Sequence, residues 1–341
     1  MIPNTTKKNI VWDASVFSTV MSCMRLTDLR FNLDLIPIEG KSNSLECGSL
    51  VHKILETFYR CKSQRMKRDD SIAHAFVMGE LYIKGCQFCT DFTPSHGNAT
   101  NIPGEALFHE GEHHCDDTCV LKPKCGHQPN EFTGMRNTPP DNTTKPNRVG
   151  WKWVLETMVQ YFEFYANDSW EPLEIEVVKR EVLYEDDEIR ILWKAKLDLT
   201  VDTNQGIYPV DHKTMKQNRD LLSLNNQFIG QCILMKTRNI IINKIGFQTS
   251  LEPKDKFIRT TVSYSADRLI EWQSEILPYW AYQYLQSVES GIYPPNFTHC
   301  ENKYGFCSFK KVCESDRSMR EEELKKSFKV GETWDVQNVE D

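Results

Sequence analysis

The sequence predicts an α/β fold (α+β mixed) in which helices flank a central mixed sheet. Two observations predict the layers of this fold. Apolar residues recur at helical spacing in residues 48–63, 70–84, 151–166, about 220–238 and about 266–289. Strand-like segments lie at about 174–184, 190–202, 207–213, 240–249 and 257–263. Because helices alternate with groups of strands, we expect one sheet covered by helices.

A change of composition divides the 341-residue chain into four parts. Residues 1–85 form an N-terminal helical part, and residues 86–150 are a Cys/His-rich insertion without apolar periodicity. Residues 151–320 hold the strand-rich core and a cysteine-bearing C-terminal segment, and residues 321–341 form an acidic tail. We expect the insertion to lie outside the main hydrophobic core.

Charge and hydropathy narrow the classes of function. No run approaches the roughly 20 apolar residues that span a bilayer, and the N-terminus lacks the apolar stretch of a signal peptide. We therefore expect a protein without membrane contact, in the cytoplasm of a cell or of a host if it is viral. The net charge of −7 argues against a broadly basic surface, so contact with nucleic acid would come from a local groove.

One predicted β-hairpin carries most of the chemistry. The segment RILWKAKLDLTVDTNQGIYPVDHKT contains two strand patterns separated by Asn204 and Gln205. If residue 203 pairs with residue 206, the numbers of antiparallel partners sum to 409. This register places Asp198 opposite Asp211 and Lys196 opposite Lys213.

Side-chain alternation predicts that these charged residues share one face of the hairpin with Lys194. The opposite, packed face would carry Trp193, Ala195, Leu197, Leu199, Val210 and His212. Opposed carboxylates repel unless a cation offsets their charge, and hard oxygen ligands suit Mg²⁺ or Mn²⁺. Lys213 would then orient or deprotonate a water, or stabilise charge on a phosphate. The alternative is an ordinary exposed strand face with alternating charges.

Several motifs together resemble the RecB-like branch of the PD-(D/E)XK nucleases, which includes phage exonucleases and CRISPR-associated RecB-like exonucleases. Residues 15–23 (SVFSTVMSC) resemble the Ser-rich stretch of that family, and residues 48–52 (GSLVH) resemble its G-x-x-x-H helix. Residues 195–198 (AKLD) resemble its G-x-x-D, with alanine replacing glycine. Residues 211–213 match its D-x-K, and residues 227–231 (QFIGQ) resemble its Q-x-x-x-Y helix.

The resemblance implies a restriction-endonuclease-like core and a role for each matched residue. His52, Asp198, Asp211 and the backbone carbonyl of His212 would bind the Mg²⁺ or Mn²⁺. Lys213 would serve catalysis, Gln227 would place the DNA or the water, and Gln231 stands where the family has tyrosine. Without the resemblance, a histidine on a largely apolar helix is more often a core residue, and two glutamines one turn apart are usually solvated.

The C-terminal segment resembles family members that bind an iron-sulfur cluster. There, one distant N-terminal cysteine and three C-terminal cysteines bind a [4Fe-4S] centre. The corresponding residues here are Cys23, Cys300, Cys307 and Cys313. The gap between Cys300 and Cys307 is wider than the family's usual C-x-x-C, and zinc is the alternative.

The insertion carries a separate set of candidate zinc ligands. These are Cys86, Cys89, Cys115, Cys119, Cys125 and His127, with His113 and His114 nearby. A segment with so little apolar content cannot fold on hydrophobic burial alone, so a bound Zn²⁺ would organise it. The spacing leaves open which four residues bind.

We therefore expect a metal-dependent deoxyribonuclease that hydrolyses phosphodiester bonds in DNA recombination, repair or processing, and an exonuclease in particular. Its partners would be DNA with a single-stranded end, a recombination or replication protein, and further copies in an oligomer. The alternative is a catalytically silent DNA-binding or assembly subunit. A zinc-finger regulator would need more Lys and Arg in the insertion.

Overall fold

The central feature of the fold is a six-stranded mixed sheet flanked by helices, which confirms the predicted fold class. The computed structural model describes residues 7–38, 43–83, 151–215, 224–248, 250–302 and 305–331. Strand β4 pairs with β1 in parallel and with β3 and β5 in antiparallel orientation. Strand β5 pairs with β6 in parallel, and β6 pairs with β7 in antiparallel orientation.

The helices and strands have the following bounds. The strands are β1 (Lys8–Trp12), β2 (Leu35–Pro37), β3 (Glu171–Glu185), β4 (Ile189–Thr203), β5 (Gly206–Met215), β6 (Asn239–Gly246), β7 (Phe257–Ser263), β8 (Glu301–Asn302), β9 (Gly305–Phe306) and β10 (Phe328–Val330). The helices are α1 (Ala14–Ser22), α2 (Met24–Thr27), α3 (Asn43–Ser63), α4 (Arg68–Ile83), α5 (Trp151–Phe164), α6 (Asn226–Leu234), α7 (Pro253–Lys256), α8 (Ala266–Glu271), α9 (Leu277–Ser290), α10 (Lys310–Glu314) and α11 (Arg320–Ser327).

Two hydrophobic cores lie on opposite faces of the sheet. Strand β6 shows this most directly, because Ile241 and Ile245 pack with helices α3 and α5, whereas Ile240 and Ile242 pack with helices α1, α6 and α9. Burial on both faces explains why this strand is a nearly continuous apolar run. We call the two sides the α3 side and the α6 side.

A third, smaller core joins the C-terminal segment to the N-terminal part. Phe309 stacks on Phe328 with ring centroids 4.2 Å apart, and both pack against Leu29. Strand β10 pairs with β2, so the two distant ends of the described chain share one small sheet. Cys307 packs against this core.

The structure differs from the sequence prediction at three elements. Strand β1 was not predicted, because the five residues KNIVW are too short for a periodic pattern. The helix expected at about 220–238 covers only Asn226–Leu234. The helix expected at about 266–289 contains a π-helical turn, Trp272–Ile276, between α8 and α9.

The predicted insertion at residues 86–150 lies outside the described residues, and with it all of its candidate zinc ligands. The zinc prediction therefore stays a prediction. Within the described ranges, no helix combines the length and the apolar character needed to cross a bilayer.

Candidate active site

The candidate site lies at a gap in the sheet beside strand β4. One edge of β4 pairs with β3 along almost its whole length. The other edge pairs with β1 at residues 189–193 and with β5 at residues 199–203. Residues 194–198 lie between these two partners, so the sheet opens there. Asp198 is at the end of this gap.

The hairpin register is the one predicted, but it ends before the two aspartates. Leu199 pairs with Val210 and Thr203 with Gly206, so partner numbers sum to 409. Beyond Leu199 the strands separate, and Oδ2 of Asp198 accepts a hydrogen bond from the backbone N–H of His212 at 2.8 Å. The pairing of Asp198 with Asp211 as direct opposites is therefore wrong in detail.

The prediction of a single packed hairpin face is also wrong. Trp193 and Ala195 pack on the α6 side, whereas Leu199 and Val210 pack on the α3 side. The odd-numbered residues of strand β4 therefore face the α6 side at 193 and 195 but the α3 side at 199. Lys196 does not face Lys213 but forms an ion pair with Glu176, with Nζ 2.6 Å from Oε2.

Helix α3 brings His52 to Asp198. Nδ1 of His52 lies 3.5 Å from Oδ1 of Asp198. Gly48, one turn earlier on the same helix face, allows this close approach, because a Cβ there would lie 3.3 Å from Oγ1 of Thr214 in β5. The histidine is therefore at the site and not only part of the core.

The charges of this pair stabilise each other. Burial lowers the pKa of His52, but the charge of Asp198 and its hydrogen bond outweigh burial and raise this pKa to about 9. Burial raises the pKa of Asp198, but the His52 cation and the N–H of His212 hold this pKa well below its usual range. A metal that binds His52 would displace this proton.

Asp211, Lys213 and Gln227 form the second half of the site. Oδ1 of Asp211 accepts a hydrogen bond from Nε2 of Gln227 at 2.6 Å, and Nζ of Lys213 donates to Oε1 of Gln227 at 3.0 Å. Nζ of Lys213 is also 2.8 Å from Oδ2 of Asp211. The buried Oδ2 of Asp211 is therefore ion-paired with Lys213.

Burial raises the pKa of Asp211 to about 6; Lys213 opposes this shift and the charge of Asp198 adds to it. A fully buried carboxyl whose pKa is raised by burial and by a second carboxylate is more typical of a functional site than of a structural core.

The ring of His212 lies beside that of His52, with the ring centroids 5.9 Å apart. It is buried on the α3 side, stacks on Tyr59, and has Nδ1 2.9 Å from Nδ2 of Asn243. Burial lowers the pKa of His212 to about 3, so the ring is neutral. The backbone N–H, not the ring, is the group through which His212 contacts Asp198.

Glu176 belongs to the site and was missed by the sequence analysis. Among the described residues, His52, Glu176 and Asp198 form the group whose ligating atoms all lie within 4.8 Å of one another. Glu176 adopts a left-handed φ of 55° in strand β3, a conformation that costs energy for a side-chain-bearing residue. The sequence does not distinguish Glu176 from the other glutamates in residues 171–181. Its backbone conformation, which places it at the site, is visible only in the structure.

Helix α6 carries Gln227 and Gln231 and is fixed closely against β4. A Cβ at Gly230 would lie 2.7 Å from three indole atoms of Trp193. Trp193 is itself held by edge contacts to Phe17 and Trp272. Gln231, expected to be either solvated or functional, is 2% exposed.

A cavity of about 560 Å³ opens at the gap in the sheet. It lies between the start of α1, residues 194–196 of β4 and helix α6. Its lining includes Asp13, Arg30, Lys194 and Lys196, and Gln227 joins it to the candidate active site. Of the cations, Lys194 is fully buried and Lys196 is ion-paired with Glu176, whereas Arg30 is exposed.

The four predicted cluster ligands, Cys23, Cys300, Cys307 and Cys313, lie near one another. All four are partly buried free thiols. Burial raises the pKa of Cys300, and the neighbouring Cys313 and Cys23 raise it further. Burial and the same neighbouring thiols also raise the pKa of Cys307. The four sulfurs do not form a group within 4.8 Å of one another in the described part of the chain.

Comparisons with known proteins do not assign a family. No family model matches the chain, and no curated protein matches it. One solved structure to which it is similar is described as the crystal structure of SSO0001. The two are 13% identical with a TM-score of 0.30, over 48% of this chain and 70% of that one. A similarity of this size assigns neither fold nor function.

Proposed function

We propose that this chain is a Mg²⁺- or Mn²⁺-dependent DNA nuclease that hydrolyses phosphodiester bonds. The observation that carries the proposal is the convergence of His52, Asp198, Asp211, Lys213 and Gln227 from helix α3, strands β4 and β5 and helix α6. Each of these residues was selected from the sequence by a nuclease motif. The proximity of these five residues in the folded chain supports the motif assignment.

The residues present fit a divalent metal. His52, Asp198, Asp211 and the backbone carbonyl of His212 would hold it, and we add Glu176 as a further ligand because its carboxylate lies within 4.8 Å of His52 and Asp198. The charge repulsion between Asp198 and the buried Asp211, which raises the pKa of Asp211, supports this assignment because a cation would relieve it. When bound, such an ion lowers the pKa of a water and polarises a phosphate oxygen.

The side chains around the metal ligands have separable roles. Gln227 donates to Asp211 and accepts from Lys213, so it fixes both groups in one orientation. The ammonium of Lys213 would stabilise the charge that develops on the phosphate oxygens or position the attacking water. Asp198 is held by the backbone of His212 and by His52, which keeps its carboxylate ionised.

The basic cleft supports a nucleic-acid substrate. The exposed residues Arg30 and Lys196 line the cavity that Gln227 joins to the site, and phosphate contacts from such residues supply sequence-independent affinity. We therefore propose a single-stranded DNA end as the substrate.

We also propose that Cys23, Cys300, Cys307 and Cys313 hold a [4Fe-4S] cluster. The thiols are near enough to raise one another's pKa. A single tetrahedral zinc with Zn–S bonds of about 2.3 Å would need its sulfurs roughly 3.8 Å apart. Each thiolate of a four-iron cluster binds a different iron, so wider spacing is compatible with it. The cluster would join α1 to the C-terminal segment as a structural element.

Replacement of Lys213 by alanine tests the nuclease proposal. Labelled single- and double-stranded DNA would be incubated with Mg²⁺ or Mn²⁺, and we expect cleavage to fall about 100- to 1000-fold in Lys213→Ala, the size of losing one transition-state donor. Lys236→Ala is the matched control, because Lys236 is exposed and its ion pair among the described residues is with Glu181 on the surface. Circular and linear single strands then separate endonuclease from exonuclease.

Two results would contradict this proposal. One is a wild-type protein that cleaves no DNA with either metal, and the other is a Lys213→Ala variant that cleaves as well as wild type. DNA binding without cleavage would instead support the catalytically silent subunit.

Replacement of Cys23 by serine tests the cluster. We expect anaerobically purified wild-type protein to be brown and to contain about four irons per chain, and Cys23→Ser to lose most of the iron and to unfold at lower temperature. Cys232→Ser is the control, because Cys232 is buried in the α6-side core and should keep the iron. Colourless wild-type protein without iron would exclude the cluster, and zinc in its place would establish the alternative.

A further inference from the structure

Each carboxylate of the candidate site already has a cationic partner at ion-pair distance. The three pairs are Glu176 with Lys196, Asp211 with Lys213 and Asp198 with His52. Three cations of the protein thus offset three carboxylates in the metal-free site. A divalent ion that binds among these carboxylates brings two further positive charges, so at least one of the protein's own cations must withdraw.

Lys196 is the cation that can withdraw at the lowest cost. Its side chain is 48% exposed, compared with 33% for His52 and 29% for Lys213. Lys213 also donates to Oε1 of Gln227 at 3.0 Å, which holds its ammonium from a second side. An exposed lysine on a flexible stem can turn into water with little loss of free energy, because its ion pair is weak there.

Glu176 is shared between Lys196 and the metal-binding group. Its carboxylate lies within 4.8 Å of the ligating atoms of His52 and Asp198, yet its Oε2 lies 2.6 Å from Nζ of Lys196. Burial raises the pKa of Glu176; Lys196 opposes this shift, and the charges of Asp198 and Glu56 add to it. The side chain is 10% exposed, so its charge needs a cation beside it. Exchange of Lys196 for a metal keeps this charge compensated.

The cleft beside the site receives the freed ammonium. Lys196 lines the cavity of about 560 Å³ that adjoins the candidate active site, together with the exposed Arg30. Two other acids lie near these cations, but Glu56 forms ion pairs with two cations of its own helix and Asp13 caps helix α1. The anion that a nuclease substrate brings to this place is a backbone phosphate.

We propose that Lys196 leaves Glu176 when this carboxylate binds the metal, and that its freed ammonium then binds a phosphate of the DNA. Metal and phosphate therefore bind cooperatively, because each becomes the partner of one half of the broken ion pair. This exchange rests on the proposed nuclease function and adds a substrate-binding residue to it. It explains how Lys196, which is paired in the metal-free protein, becomes available to the substrate.

Mn²⁺ binding in the absence of DNA tests the first half of the exchange. Lys196→Met keeps the length of the side chain and removes its charge, so metal binding no longer breaks an ion pair. Calorimetric titration with Mn²⁺ should show binding about 2- to 5-fold tighter than in wild type, the size of one partly exposed ion pair. Lys179→Met is the matched control, because Lys179 pairs on strand β3 with Glu174, which lies outside the metal-binding group. This control should bind Mn²⁺ as wild type does.

DNA binding with and without metal tests the second half. A labelled single-stranded oligonucleotide is titrated with Lys213→Ala protein, which prevents cleavage, in saturating Mn²⁺ or in chelator. Adding Lys196→Met should weaken binding about 5-fold in Mn²⁺ and hardly change it in chelator, where Glu176 holds the lysine. In Mn²⁺ the slope of log affinity against log salt should also become shallower by about 0.7, the value of one phosphate contact to a single strand.

The outcomes distinguish this inference from the nuclease proposal. Mn²⁺ binding that is unchanged or weaker in Lys196→Met overturns the exchange, since Lys196 would then only hold Glu176 in place. A loss of DNA affinity that is equal in Mn²⁺ and in chelator also overturns it, and both results leave the nuclease proposal standing. Wild-type protein that binds neither Mn²⁺ nor DNA overturns both. Lys196→Gln, which keeps a hydrogen-bond donor for Glu176, should show the same two effects if Lys196→Met does not fold.

Discussion

Asp211→Asn should abolish DNA cleavage and at the same time stabilise the metal-free protein. The activity should fall by a factor on the order of 1000 or more, since a metal ligand is lost and metal catalysis contributes several kcal/mol. The amide keeps an oxygen that can accept from Nε2 of Gln227, and Lys213, which loses its ion pair with Oδ2, keeps its hydrogen bond to Oε1 of Gln227. Single-turnover cleavage with saturating Mg²⁺ measures the first effect.

The stabilising effect follows from the sign of the pKa shift. Burial raises the pKa of Asp211 from 3.8 to about 6 in the folded state. The folded protein therefore binds the proton more tightly than the unfolded chain, and its stability falls as pH rises from about 4 to about 6. Asparagine removes this loss, so at pH 7 with chelator we expect Asp211→Asn to unfold with a free energy higher by on the order of 1–3 kcal/mol.

Asp168→Asn is the matched control for the sign of this effect. The side chain of Asp168 is 9% exposed, and both its oxygens lie 2.9 Å from the guanidinium of Arg259. Breaking that pair leaves an uncompensated buried cation, so this variant should be destabilised by about 3–5 kcal/mol. If Asp211→Asn is destabilised as Asp168→Asn is, Asp211 is a structural carboxylate and the metal site is in doubt.

The sequence predicted the parts of the site that depend on local rules. Hairpin register follows from turn length, so pairing of Leu199 with Val210 was predictable by arithmetic. Helical spacing correctly placed Gly48 and His52 on one face. These rules connect residues within one element or across one turn.

The parts that were missed depend on long-range geometry. The prediction assigned the odd-numbered residues of β4 to one packed face. The sheet opens at residues 194–198, so the two ends of β4 pack on different layers. Glu176 joins the site through a left-handed backbone in a strand distant from the motifs. The gap itself depends on β1, a five-residue strand from the far end of the chain.

Gly230→Ala should have a large effect although it removes no functional group. An alanine Cβ would lie 2.7 Å from Nε1, Cε2 and Cζ2 of Trp193. This tryptophan cannot move away, because it is fully buried between Phe17 and Trp272. Helix α6 must therefore shift, which should lower the free energy of unfolding by about 1–3 kcal/mol, as measured by urea denaturation.

The same shift should reduce catalysis, because Gln227 lies on this helix and orients Asp211 and Lys213. A displacement of about 1 Å can lower the rate roughly 100-fold. The smaller ring in Trp193→Phe makes room for the methyl group, so the double variant should regain cleavage relative to Gly230→Ala alone. If both single penalties simply add in the double variant, α6 is not positioned by this contact and Gln227 is held by its hydrogen bonds alone.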